Sequence, residues 1–199
     1  MRRALHGAAL VLALASCAPA PRAPLSSLND LGRDEVMLVG RVDLVPPLQE
    51  HEQKIRGVVV GDFKNRIFLL ADEKPRPLPE EPRLADYAGR IEAPLGSTFF
   101  VRSQGAPFYV LGGVLFIEIG GGGQQRVYFP GGYHVALKPG DRAVYIGTLR
   151  YYRDEFFEIR RVAVADEYGE ANVEFSRKFG GGQVLRKALM TRTKPPAAR

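Results

Sequence analysis

Apolar and polar positions follow a two-residue rhythm along most of the chain and a helical one over a short stretch near its end. Residues 36–45 alternate over their second half and stop at Pro46-Pro47, which predicts a strand. Residues 54–60 and 66–71 are the next apolar runs, with Gly61-Asp62 and Lys64-Asn65 between them in the manner of a hairpin. Short aromatic and β-branched runs follow at 97–102, 107–111, 114–119, 125–129 and 133–137. Lys138-Pro139-Gly140-Asp141 places proline and glycine where a type II turn requires them. Residues 142–153 and 155–164 are the longest strand candidates and are expected to form a central hairpin bent at Arg153-Asp154. Helical spacing begins only beyond them. Tyr168, Ala171, Phe175 and Phe179 recur at three- and four-residue steps, with Asp166 to cap the start and Gly180 to end it. Residues 183–191 are read as a short second helix.

About nine short strands with turn signals between them predict a mainly β fold, an antiparallel β-sandwich or barrel. The sandwich is the favoured form, with one buried and one wet face per sheet and one C-terminal helix packed on the sheet. Between these elements lie segments of different character. Residues 17–33, with Pro19, Pro21, Pro24 and Ser26-Ser27, read as a flexible tether. Residues 72–94 form a long loop rich in proline and charge, a length that points to a functional or partner-contacting segment. The domain is expected over 34–182, and a basic tail over 183–199.

Charge changes this picture only at the ends. The formal net charge is +6, but Arg2 and Arg3 open the chain and Arg186, Lys187, Arg192, Lys194 and Arg199 lie in a final stretch without an acid. Without these residues the body is close to neutral, so nothing points to nucleic acid as a partner. The tail reads as a solvated terminus or a contact for anionic headgroups.

Met1-Arg2-Arg3, the apolar run 8–15 and Leu14-Ala15-Ser16-Cys17 resemble the lipobox of bacterial lipoproteins. The resemblance implies a signal peptide over 1–16, cleavage between Ser16 and Cys17, thioether diacylation of Cys17 and acylation of the new amino terminus. It implies a partner as well, the membrane, held through the acylated Cys17. Ala18 rather than Asp after the cysteine implies the outer membrane. Ala18-Pro19-Ala20 also has the small-x-small form of an ordinary secretory cleavage site, although cleavage there would leave Pro21 first and discard Cys17. Cys17 is the single cysteine, so the anchored chain has none left for a disulfide and must stand on its apolar core. Residues 133–141 running into 143–147 are similar to transthyretin-like (prealbumin-like) sandwich domains of bacterial lipoproteins. One such family is the small lipoprotein of type VI secretion systems, which anchors a membrane complex. The C-terminal helix and the acid-rich turn 154–158 depart from that pattern.

Catalytic signatures are weak. No serine sits in a Gly-x-Ser-x-Gly elbow, and Gly120 to Gly123 neither precedes Lys-Ser/Thr nor leads into a helix. His51 between Glu50 and Glu52 lacks the convergent spacing of a zinc site and reads as a solvated loop residue, and His134 as a strand-edge residue. Asp154, Glu155 and Glu158 suggest paired carboxylates for glycoside hydrolysis, but Arg153, Arg160 and Arg161 stand ready to neutralise them. No catalytic residue, metal or cofactor is assigned. Tyr151-Tyr152 and Phe156-Phe157 are consecutive aromatics, so one of each pair faces the opposite way from the other. Outward members beside arginine form an aromatic-basic surface, unless the helix covers that face. Tyr151, Tyr152, Arg153, Asp154, Glu155 and Phe156 are therefore the candidate contacts for an envelope protein partner. The leading expectation is a non-enzymatic, membrane-anchored interaction module of a secretion or surface-export assembly. The alternative is a lipoprotein that binds or hydrolyses glycan or lipid.

Overall fold

A computed structural model describes residues 25–53, 65–80, 82–84, 87, 89–104, 107–119 and 123–193. The leader, Cys17 and the first half of the expected 54–60/66–71 hairpin lie outside these residues. In chain order the strands are β1 (Glu35–Val45), β2 (Arg66–Asp72), β3 (Ile91–Pro94), β4 (Thr98–Gln104), β5 (Phe108–Ile119), β6 (Gly123–Val135), β7 (Ala143–Arg153) and β8 (Ile159–Ala165). Helix α1 (Tyr168–Phe179) follows, then the two-residue strands β9 (Arg186–Lys187) and β10 (Thr191–Arg192).

The fold is mainly β, with two sheets and one helix among the described residues. One sheet runs β4-β1-β7-β8, with β9 also paired to β7; the other runs β10-β6-β5-β2-β3. Val36, Leu38, Val42 and Leu44 of β1, Val144, Ile146, Leu149 and Tyr151 of β7, and the inward residues of β2, β5 and β6 share one core between the sheets. The opposite face of the first sheet is buried too. There Met37, Val39 and Tyr145 pack against Ala171 and Phe175 of α1 and against Leu28 and Leu31. A third cluster, Leu70, Val114 and Tyr87 with Leu78 and Leu84, lies on the outer face of the second sheet. The proline-rich stretch after β2 is thus partly a cover for that sheet, and its end, expected as loop, is strand β3.

Several expectations change. The sheet built on β1 and β7 is not antiparallel: these two strands run parallel, Met37 opposite Ala143 and Val45 opposite Tyr152. The runs at 107–111 and 114–119 are one strand, and those at 125–129 and 133–137 also join in one, which ends at Val135. Gly131 allows this continuity, because a Cβ there would lie 2.2 Å from the backbone of Leu111. The chains cross a bulge so closely that only glycine fits. The tether expected over 17–33 is already structured from residue 25, with Leu28 and Leu31 buried around a 3-10 turn at Leu28–Asp30. Residues 183–191 are not helical. Leu185 and Met190 are buried, and the segment crosses from one sheet to the other through β9 and β10. Part of the expected basic tail is therefore packed, and Arg186 is tied to the Asp141 carboxylate.

Other expectations match. Gly140 has φ 85°, and Asp141 N–H donates to Lys138 O at 3.1 Å, closing the predicted turn before β7. Helix α1 spans the predicted residues and ends at Gly180. The start differs: the N-cap position is held by Glu167 rather than Asp166, whose Oδ1 accepts from Tyr168 N–H at 3.2 Å.

Candidate functional site

The bend between β7 and β8 begins with the alternation of β7. Tyr151 and Arg153 point inward, Tyr152 outward. Tyr151 is fully buried with its ring edge-on to Phe129, 4.8 Å between centroids, and burial pushes its phenol pKa up. Its hydroxyl is buried without a hydrogen-bond partner. Arg153 is 7% exposed and is bonded throughout. Nη1 and Nη2 donate to the two carboxylate oxygens of Glu52 at 2.8 and 2.9 Å, Nε to Pro46 O at 3.1 Å and Nη2 to Pro47 O at 3.0 Å. The Phe157 ring lies 4.0 Å from the guanidinium carbon. Desolvation raises the pKa of Glu52, but the Arg153 bonds, the Gln49 N–H and nearby positive charge outweigh it and hold the carboxyl below its usual range. Neither Tyr151 nor Arg153 is a surface residue, which corrects the sequence reading. The bidentate pair with Glu52 and the two proline carbonyls take up four of the five N–H groups of Arg153, and its burial keeps it from a partner.

The remaining candidates do reach the surface. Asp154 organises the turn: its Oδ1 accepts from Phe156 N–H and Glu158 N–H, both at 2.9 Å, and its Oδ2 from Arg160 Nε at 2.9 Å. These bonds, the Glu158 backbone bond foremost, hold the Asp154 carboxyl below its ordinary value. Two backbone bonds, Asp154 N–H to Glu158 O and Phe157 N–H to Asp154 O, close the loop. Phe157 takes φ 64°, a left-handed conformation that bulky residues rarely adopt. Its ring folds back onto Arg153, and Phe156 is turned outward, 81% exposed. Glu155 is also exposed, with no ion pair among the described residues. Tyr152 is half-buried beneath Arg161, whose guanidinium carbon is 3.8 Å from the ring centre. Asp154, Glu155 and Phe156 therefore share one surface, with Tyr152 beside β8. Sequence reasoning missed Glu52, and it singled out Phe157 only as one of an aromatic pair, without its place on Arg153. The acids flanking His51 did stand out, but nothing local could show that one of them meets an arginine about a hundred positions later.

A second polar group gathers where α1 starts. Arg150 bonds to the Glu167 carboxylate and lies 3.5 Å from Asp43. Thr148 Oγ1 donates to Glu167 Oε2 at 2.7 Å, and Glu167 N–H donates to the Tyr145 hydroxyl at 2.8 Å. Arg41 pairs with Asp43 at 2.7 Å. Burial foremost raises the Tyr145 pKa. A shallow cleft of about 10 Å³, lined by Arg41, Thr98, Thr148, Glu167 and Glu170, opens beside this network. Sites for small organic ligands are larger and mostly apolar, on the order of 300–1,000 Å³. Donors and carboxylates here satisfy one another, so the group fastens the helix start to the sheet.

Among the described residues no three His, Cys, Asp or Glu side chains are placed to hold a metal ion, and no helix is long and apolar enough to cross a membrane. No protein-family model matches the chain, nor does a curated protein or a solved structure.

Proposed function

We propose that the protein is an envelope lipoprotein, anchored in the outer membrane through acylated Cys17, that acts as a non-catalytic docking module in a secretion or surface-export assembly. The observation that carries the reading is the bend at 154–158. Hydrogen bonds accepted by the Asp154 carboxylate fix its shape, the Phe157 ring lies on the buried Arg153, and the bend exposes a large aromatic side chain with no structural task. Rigid presentation of an exposed ring suits protein recognition, because little freedom is lost on docking. Two facing sheets support the transthyretin-like part of the reading at the level of architecture; the parallel pairing of β1 with β7 weighs against its detail. The hydrolase alternative calls for convergent, unpaired acids in a deep pocket. Asp154 and Glu158 instead both face Arg160 on the surface.

The test is fractionation and acyl labelling of wild type against Cys17→Ser, followed by crosslinking pull-down from native envelopes. Label on Cys17 and a defined membrane complex lost in the variant are the expected results. An abundant, labelled protein with no partner would remove the docking role and favour a ligand or enzyme function.

A further inference from the structure

The direction of two strands decides what Phe156 can touch. Because β1 and β7 are parallel, the start of β1 lies beside the start of β7, and the bend after Arg153 lies at the far end of the sheet. At the near end Arg142 donates to the carbonyls of Leu28, Leu31 and Gly32, and Leu25 packs in the same apolar cluster. The strand Ala143–Arg153, at about 3.3 Å per residue, puts about 33 Å between that end and the bend. On the lipoprotein reading the bilayer holds Cys17. The chain from Cys17 to Leu25 reaches at most about 29 Å when fully extended. A pose with the bend pressed into the anchoring bilayer would need this segment to run the length of the sheet and beyond. It is too short for that upright pose, so with β7 standing off the bilayer the bend points away from the membrane that holds the protein.

The chemistry at the tip narrows what docks there. Phe156 offers an apolar ring, and Glu155 beside it an exposed carboxylate with no ion pair among the described residues. Its neighbours Asp154 and Glu158 are already met by Arg160, at 2.7 and 2.5 Å. An anionic headgroup layer would repel a free carboxylate. A protein surface with a pocket beside a positive charge would satisfy both groups.

We propose that the bend is the docking tip for a protein partner lying away from the anchoring membrane, with an apolar pocket for Phe156 and a Lys or Arg beside it for Glu155. The proposal rests on the docking-module reading and adds the partner's chemistry and the side it lies on.

Two experiments on the full-length acylated protein test it. The chain has no tryptophan, so Phe156→Trp supplies a single reporter. In vesicles of phosphatidylethanolamine and phosphatidylglycerol with brominated acyl chains, its emission is expected to be unquenched. Quenching would place the ring in the bilayer and overturn the proposal. In cells, a photo-crosslinking phenylalanine analogue goes at position 156 and, for comparison, at exposed Val184. The expected product joins position 156 to an apolar partner peptide containing Lys or Arg. Glu155→Lys is expected to weaken binding of that purified partner about tenfold or more, with recovery when the partner's base is changed to an acid. Binding indifferent to Glu155→Lys, or a peptide without a base, overturns the proposed chemistry. Products from 184 and none from 156 overturn the tip while leaving a docking module in place. Absence of acyl label on Cys17 removes the anchor, and both readings fall with it.

Discussion

Two arginines mark the two ends of β7 and do related work by different means. Arg142, just before the strand, is half-buried and donates to three backbone carbonyls of residues 28–32, with no carboxylate among these bonds. Arg153, its last residue, is buried and shares its donors between two proline carbonyls and both oxygens of Glu52. Each pins a segment of irregular chain to the same strand. At the first end, water can replace the lost bonds if the arginine goes. At the second, removing either partner strands a charge out of reach of water, and that asymmetry sets the size of the effects.

The largest effect is expected from Arg153→Ala or Glu52→Gln, each lowering unfolding free energy by about 3–5 kcal/mol. Urea denaturation followed by circular dichroism measures it, and a loss no larger than that of Arg142→Ala would erase the distinction between the ends. Acid sharpens the same contrast. The Glu52 carboxyl is depressed in the folded protein, so its contribution is fully present above its unfolded value of about 4.5 and is lost as pH falls through the folded value. The gap between wild type and Glu52→Gln should therefore narrow on acidification below that point. A gap independent of pH between neutrality and unfolding in acid would mean that the ionised pair contributes nothing. Arg142→Ala is expected to cost about 1–2 kcal/mol and to add to the Arg153 effect without coupling, since the sites lie at opposite ends of the strand.

Tyr151→Phe runs the other way. It deletes a buried hydroxyl without a partner while keeping the ring against Phe129, so a gain of about 1 kcal/mol is expected from thermal or urea melts. Phe156→Ala should be the quietest change, within about 0.5 kcal/mol of wild type, while weakening binding of the purified partner captured at the tip. A marked loss of stability there would show that the ring serves the fold instead.

The helix was legible because one face repeats with helical period and Gly180 closes it, information carried within a dozen residues. Strand content was legible for the same local reason. Strand direction was not: nothing near Val36 tells whether the chain will return beside it parallel or antiparallel, since the partner comes from a distant part of the sequence. Residues 183–191 misled because Leu185 and Met190 enter the apolar clusters on the two opposite faces of the first sheet, and this tertiary demand overrides a helix-compatible pattern. The candidate site was half legible. Alternation correctly opposed Tyr151 to Tyr152 but could not say which side was core. Arginine is so seldom buried that Arg153 was read as surface until Glu52 came into view.

The parallel union of β1 with β7 also governs when the molecule can become itself. Met37 meets Ala143 across more than half the chain, so the central strand pair cannot form until about three quarters of the chain has been synthesised. Closing so wide a loop is entropically costly, and contacts this distant in sequence slow folding. The strands β2, β3, β5 and β6 of the second sheet all lie within residues 66–135 and can pair before β7 exists, so the central pair of the first sheet is the later one to close.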